Sequence, residues 1–106
     1  MNITPTITFV ARNPGYAFKN VRDLPAVVKA MNAHRKAHPK CAWCGRVGIE
    51  VHHIRPVHLY PELAADPTNF ISLTRKPACH HVIGHRGNWK NYNLFVVEDC
   101  TGRIII

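Results

Sequence analysis

The sequence predicts a small α+β domain, and three observations carry that prediction. Apolar residues recur at helical spacing behind Pro25, two short β-type segments lie near residues 49–55 and 70–73, and two more lie near the C-terminus. At 106 residues the chain has room for one domain spanning 1–106. A chain of this size buries roughly 60–70% of its unfolded surface, enough for one modest core. A hydrophobic content of 46% excludes wholesale disorder.

Taken in order, residues 3–10 (Ile-Thr-Pro-Thr-Ile-Thr-Phe-Val) form a β-type segment, which Pro5 demotes to an edge. Asn13-Pro14-Gly15 is a turn. Asp23-Leu24-Pro25 starts a helix, because proline near the first turn lacks only an N–H that would be unpaired anyway. Val27, Val28, Met31 and His34 or Arg35 follow at helical spacing, and His38-Pro39 ends the element, giving a helix over 25–37. Cys41–Gly48 makes a knuckle-like turn, and 49–55 alternates as a strand. Three prolines make 56–68 a loop, with a short helical turn near Glu62–Ala65. Phe70–Leu73 is a short apolar strand, and Pro77–His85 is a short helix closed near Gly84 or Gly87. Residues 94–98 and 103–106 are expected as a C-terminal β-hairpin turning at Asp99–Gly102.

The charge narrows the function. Fourteen Lys and Arg against six Asp and Glu leave +8, and the pI is about 9.8. A domain pI above about 9 is the electrostatic footprint of a nucleic-acid binder. Arg12, Lys19, Arg22, Lys29, Arg35, Lys36 and Lys40 face only Asp23 in residues 1–40, so the excess is concentrated there. A polyanion would feel that part most strongly. The chain has no apolar run of about 18 residues, so no membrane span or membrane partner is expected. Met1-Asn-Ile-Thr-Pro lacks a basic region followed by an apolar stretch, so the expected location is the cytoplasm.

Four cysteines without a secretion signal argue against a disulfide framework. Cys41-x-x-Cys44 is instead half a zinc site or a redox pair, and the βαβ context of a thioredoxin-like motif is missing. Seven of the eight His lie between 38 and 85. His52-His53 and His80-His81-xxx-His85 form two tight groups. A lone His is most often a solvated or satisfied imidazole, but grouped imidazoles beside C-x-x-C make a metal site the better reading. On a strand, His52 and His53 point to opposite sides, so one can ligate while the other does acid–base work. On an α-helix, His81 and His85 share a face. The C2H2 finger is rejected: it needs about 12 residues between its second Cys and first His, and Pro56 breaks the helix it would use. The zinc-deaminase order, His before the Cys pair, is absent as well.

Cys41-Ala-Trp-Cys44-Gly45, Val51-His-His-Ile54, Pro61 to Asn69 and Cys79-His-His-Val-Ile-Gly-His85 together resemble the HNH endonuclease family, over about His38 to Tyr92. Gly84 to Trp89 is similar to small phage and bacterial members. The resemblance implies a ββα-metal finger at about 41–90, two strands and a helix around one divalent cation, and hydrolysis of DNA phosphodiester bonds. It implies that His53 is the general base, that His52 and His85 are metal ligands, and that Asn69 holds the strands in register and fixes the His53 ring. For the third ligand, helical spacing prefers His81, while members with His directly after Cys point to His80. The cation is one of Mg²⁺, Mn²⁺, Ni²⁺ or Zn²⁺.

Relatives in this family often add a structural zinc on two Cys pairs. Cys41, Cys44 and Cys79 fit three positions, but Thr74 stands where the fourth Cys is expected. Thr is a poor zinc ligand, which leaves Cys100 or His80 to complete the tetrahedron, or no zinc at all. If bound, such a zinc adds to folding free energy.

Arg55 and Arg86 are candidate phosphate ligands beside the cation. Lys29, Arg35, Lys36 and Lys40 on or after the basic helix would grip flanking phosphates, giving salt-dependent and sequence-blind affinity. No helix rich in Arg, Asn or Gln reads base edges, so specificity is expected to be low. Trp89 and Tyr92 are expected in core packing rather than base stacking. The leading expectation is a metal-dependent HNH endonuclease that nicks or cuts DNA. It would work as a homodimer or with a phage packaging or restriction partner. The alternatives are a non-catalytic zinc-containing nucleic-acid-binding module and a small adaptor whose His cluster only holds zinc.

Overall fold

Pro25 opens the first helix, α1 (Pro25–Ala37), as expected: Leu24 is extended, and its carbonyl accepts the Val27 and Val28 N–H groups at 2.9 and 3.0 Å. The helix stops at His38, whose φ and ψ of −133° and 70° are forced out of the α region by Pro39. His34, Arg35 and Lys36 in its last turn complement the helix dipole. The computed structural model describes residues 21–104, with side chains described to Gly102. The expected edge strand at 3–10 and the turn at 13–15 lie outside the described residues.

Val27 is fully buried and packs with Val21, Leu24, Val57 and Ala64 into one apolar cluster. Two strands, β1 (Ile49–His53) and β2 (Phe70–Thr74), pair antiparallel with His52 opposite Ile71 and His53 opposite Phe70. Two 3₁₀ turns, Pro61–Leu63 and Pro67–Asn69, organise the connection between them. In the second, Asp66 Oδ1 accepts from the Thr68 N–H (2.9 Å) and hydroxyl (2.7 Å), which sets Asn69 at the entrance of β2.

After β2 the chain does not form the expected α-helix at 77–85 but a single π turn, His80–Gly84. The expected hairpin at 94–98 and 103–106 is not formed either. The described part is a helix, α2 (Val96–Ile104), and residues 105–106 lie outside the described residues. The β-branched run Val96-Val97 favours a strand locally. Val96 and Cys100 are nevertheless both buried against Leu73, Ile71 and Cys79, which a helix satisfies, whereas a hairpin turning at Asp99–Gly102 would place Cys100 in its turn. Asn93 helps the helix begin: its Oδ1 accepts the Phe95 N–H at 2.9 Å, and its Nδ2 donates to Asp99 at 2.7 Å. Glu98 and Asp99 in the first turn suit the positive end of the dipole.

The described chain is thus an α+β structure with two α-helices and a two-stranded antiparallel sheet. The second apolar cluster, which joins β2, the Cys41 turn, Cys79 and α2, fixes the π turn against the sheet. No helix among the described residues is long and apolar enough to cross a membrane.

Candidate metal centre and its cleft

Strand alternation separates the two adjacent histidines. His52 points towards the π turn, while His53 points to the 56–68 loop, its ring edge-on to Phe70 at 5.1 Å. Both are buried, at 2% and 5% exposure, which is unusual enough for imidazoles to need partners.

His52, His80 and His85 converge and could hold a metal ion. His52 Nδ1 lies 3.0 Å from His80 Nε2, which lies 3.2 Å from His85 Nε2. Metal–imidazole bonds of about 2.0–2.1 Å put neighbouring ligand nitrogens roughly 3.0–3.4 Å apart. The tautomers agree with that spacing. His80 Nδ1 must donate to the Glu50 carboxylate (3.1 Å), and His85 Nδ1 to the Asn91 carbonyl (2.8 Å), because both oxygens only accept. In the neutral rings both Nε2 atoms then carry bare lone pairs facing each other, an arrangement that could hold a cation between them. Gly84 allows this approach: a Cβ there would meet His52 Nε2 and Cε1 at 3.2 Å and Leu73 Cδ1 at 3.1 Å.

The third imidazole comes from His80. The spacing preference for His81 presupposes an α-helix. In a π turn, i→i+5 geometry brings residues five apart together, and His80 meets His85. His81 packs instead against Trp89, with ring centroids 4.7 Å apart. Trp89 is 60% exposed and touches the rings of His80, His81 and His85, so it caps the centre rather than filling the core.

His53 Nε2 is 2.9 Å from the Ala64 carbonyl, so Nε2–H donates and Nδ1 keeps its lone pair. The Asn69 side chain makes no hydrogen bond to this ring. Its Oδ1 accepts the Arg55 N–H (2.8 Å), and its Nδ2 donates to the Arg55 (3.1 Å) and Leu63 (3.4 Å) carbonyls. It ties the end of β1 to the loop whose next carbonyl, Ala64, orients His53.

Burial pushes the pKa of His52 down to about 3, helped by the neighbouring charges of His80 and His85. Burial likewise lowers His53 to about 4, against the opposing hydrogen bond to Ala64 and together with the charge of Arg22. His85 is lowered by burial as well. All three are therefore neutral at pH 7, the form that can ligate or accept a proton.

These rings open into a cleft of about 250 Å³ lined also by Arg22, His58, Lys90 and Tyr92. Arg22 and Lys90 are cleft cations that no motif in the sequence marks. Only the charge excess of the N-terminal part hints at Arg22. The expected phosphate ligands lie elsewhere. Arg55 reaches to the Tyr60 hydroxyl (3.4 Å) and covers its ring, and Arg86 donates to Asn93 (2.8 Å) beneath the π turn. Lys29 and Lys36 line a separate groove on α1, Arg35 bonds Asn32 at 2.7 Å, and Lys40 is exposed beyond the helix.

Cys41, Cys44 and Cys79 form a second group that could hold a metal ion. The Trp43 and Cys44 N–H groups both donate to Cys41 Sγ at 3.4 Å, and Gly45, at φ 76°, turns the chain back so that the Arg46 carbonyl accepts the Cys41 N–H at 2.8 Å. Cys100 is buried in the same apolar cluster but outside that group, and His80 is engaged in the imidazole centre.

No family model matches the chain, and neither a curated protein nor a solved structure matches it.

Proposed function

We propose that this protein is a metal-dependent endonuclease of the HNH type that hydrolyses phosphodiester bonds in DNA with little sequence preference. The observation that carries the reading is the pairing of two adjacent imidazoles with different tasks: His52 belongs to a three-imidazole cluster, while His53 lines the same cationic cleft with a free Nδ1. A site that only stores zinc has no use for His53.

In this reading β1, β2 and the π turn stand for the ββα finger. A divalent ion on His52, His80 and His85 would supply Lewis acidity at the scissile phosphate and offset charge on the leaving oxygen. His53 Nδ1 takes a proton from water as the water oxygen bonds to phosphorus and one ester P–O bond breaks. The Ala64 carbonyl, already bonded to Nε2–H, stabilises the imidazolium that results. Burial and the charge of Arg22 hold the pKa of His53 down, and an anionic phosphate beside it would raise its basicity. Arg22 and Lys90 attract the phosphate and hold it. Asn69 is a positioning residue, acting through the Leu63–Ala64 loop. The exposed face of α1, with Lys29, Arg35 and Lys36, would follow the backbone further away.

The test is nicking of supercoiled plasmid by metal-stripped protein with Mg²⁺, Mn²⁺, Ni²⁺ or Zn²⁺ restored, beside His53→Ala. Metal-dependent nicking lost in the variant supports the assignment. If the variant cuts as well as the parent, His53 is not the base. If no metal restores cutting but the protein retains DNA, the chain is a binding module.

A further inference from the structure

Trp89 is a large aromatic side chain left mostly outside the core, at the edge of the imidazole centre. Its ring centroid lies 5.3 Å from that of His80, 4.7 Å from that of His81 and 4.8 Å from that of His85. The interplanar angles are 86°, 38° and 56°, so no imidazole lies flat on the indole. The three rings prop the indole while most of its surface stays open to solvent.

The turn that carries Trp89 is built rather than loose. The Asn88 N–H donates to the His85 carbonyl at 3.1 Å, and the Asn91 N–H to the Asn88 carbonyl at 2.8 Å. Asn88 Oδ1 accepts the Lys90 N–H at 3.0 Å. The Asn91 carbonyl in turn accepts from His85 Nδ1 at 2.8 Å. The segment is therefore tied at both ends to a residue of the imidazole centre, so a ligand on Trp89 meets an ordered surface and little entropy is lost in fixing it.

The surroundings are cationic. Arg22 and Lys90 line the same cleft as Trp89, and no carboxylate lines it among the described residues. An aromatic face flanked by cations is the composition of a groove for single-stranded nucleic acid, in which the cations follow the backbone and the ring takes a base. A base inside an intact duplex is stacked on both faces and must be unstacked before it can meet an indole. An unpaired base offers a face without that cost.

We propose that Trp89 is a stacking platform for one unpaired base of the strand that enters the cleft, so that the preferred substrate is single-stranded or locally unpaired DNA rather than perfect duplex. This rests on the nuclease reading for the chemistry beside it. With the scissile phosphate at the imidazole centre, the stacked base belongs to a nucleotide next to the cut, because the indole borders two of the ligand rings. Stacking is blind to base identity, in keeping with low sequence preference.

The test measures binding by fluorescence anisotropy, with Zn²⁺-loaded full chain carrying His53→Ala so that bound DNA stays uncut. The probes are one perfect duplex and the same duplex with a single unpaired nucleotide. The unpaired probe should bind more tightly, and adding Trp89→Ala should remove that advantage, a loss of about 5–150-fold on the unpaired probe. Trp89→Phe should keep most of it. The indole emission lost in Trp89→Phe should be quenched by oligothymidylate in the parent. With His53 restored, cuts should fall beside the unpaired nucleotide. Equal binding of the two probes, an advantage that survives Trp89→Ala, or unquenched emission overturns the proposal. Should Trp89→Ala lose the metal, the quenching decides. Failure of the nuclease reading looks different: no metal restores cutting, while the preference and the quenching persist. Nicking with equal affinity for both probes keeps the nuclease and removes the platform.

Discussion

His80 Nε2 and His85 Nε2 face each other across 3.2 Å from the first residue of the π turn and the residue that follows it, each ring held by a hydrogen bond on its far nitrogen. An α-helix would have paired His81 with His85 and turned His80 away. The local winding of a single turn thus decides which of two adjacent imidazoles meets His52.

That relationship separates two neighbouring substitutions. His80→Ala should abolish stoichiometric Co²⁺ or Ni²⁺ binding at the imidazole centre, while His81→Ala should leave it within a few-fold. Glu50→Gln, which weakens the acceptor behind His80, should cost about 10–100-fold in affinity. Calorimetric titration of the metal-free protein measures all three. Equal losses in His80→Ala and His81→Ala would mean that the turn rewinds around the ion.

Gly84→Ala should act on the metal more than on the fold. The new Cβ would press on His52 and Leu73 at 3.1–3.2 Å, and the backbone there is not left-handed. The softest response is a tilt of the His52 ring by a few tenths of an ångström. Metal affinity should therefore fall several-fold while thermal stability of the metal-free protein changes little. A variant that binds metal normally but melts far earlier would place the strain in the Leu73 core instead.

Arg22 should matter more to the reaction than Lys29. Arg22 lines the cleft and its charge reaches His52, His53 and His85, whereas Lys29 lies on the separate α1 groove. Both alanine variants should flatten the salt dependence of DNA binding by about one unit of log–log slope. Arg22→Ala alone should also slow nicking at saturating DNA. Equal nicking rates in the two variants would remove Arg22 from the phosphate site.

Acid should destabilise the protein partly through His34. Its pKa is lowered by burial first and by the nearby His38 second, and its Nε2 meets the Ser72 hydroxyl at 3.0 Å. A folded pKa below the unfolded value of 6.5 means that the unfolded chain binds more protons between the two. The contribution of His34 is complete above pH 6.5 and is lost as pH falls through the folded value. Thermal melts from pH 7.5 to pH 5 should show a declining midpoint, and His34→Gln should decline less steeply. Parallel slopes would show that other imidazoles carry the acid sensitivity.

The sequence alone determined the features set by nearest neighbours. Pro25 and His38-Pro39 delimit α1 because proline restricts its own φ and the residue before it, and no packing is needed to know that. The opposite facing of His52 and His53 follows from strand alternation, and the nearness of Cys41 and Cys44 from their spacing. Tertiary structure decided the rest. Val96-Val97 is locally strand-like, yet the segment winds into a helix that buries Val96 and Cys100 in one cluster. The choice of His80 and the approach of Gly84 to His52 both depend on how the π turn docks on the sheet. Arg22 joins the cleft from an element that shares no motif with it. Sequence patterns report on residues a turn apart, whereas ligand geometry depends on atoms within a few ångströms that come from distant segments. Only the packing of the whole chain brings those segments together.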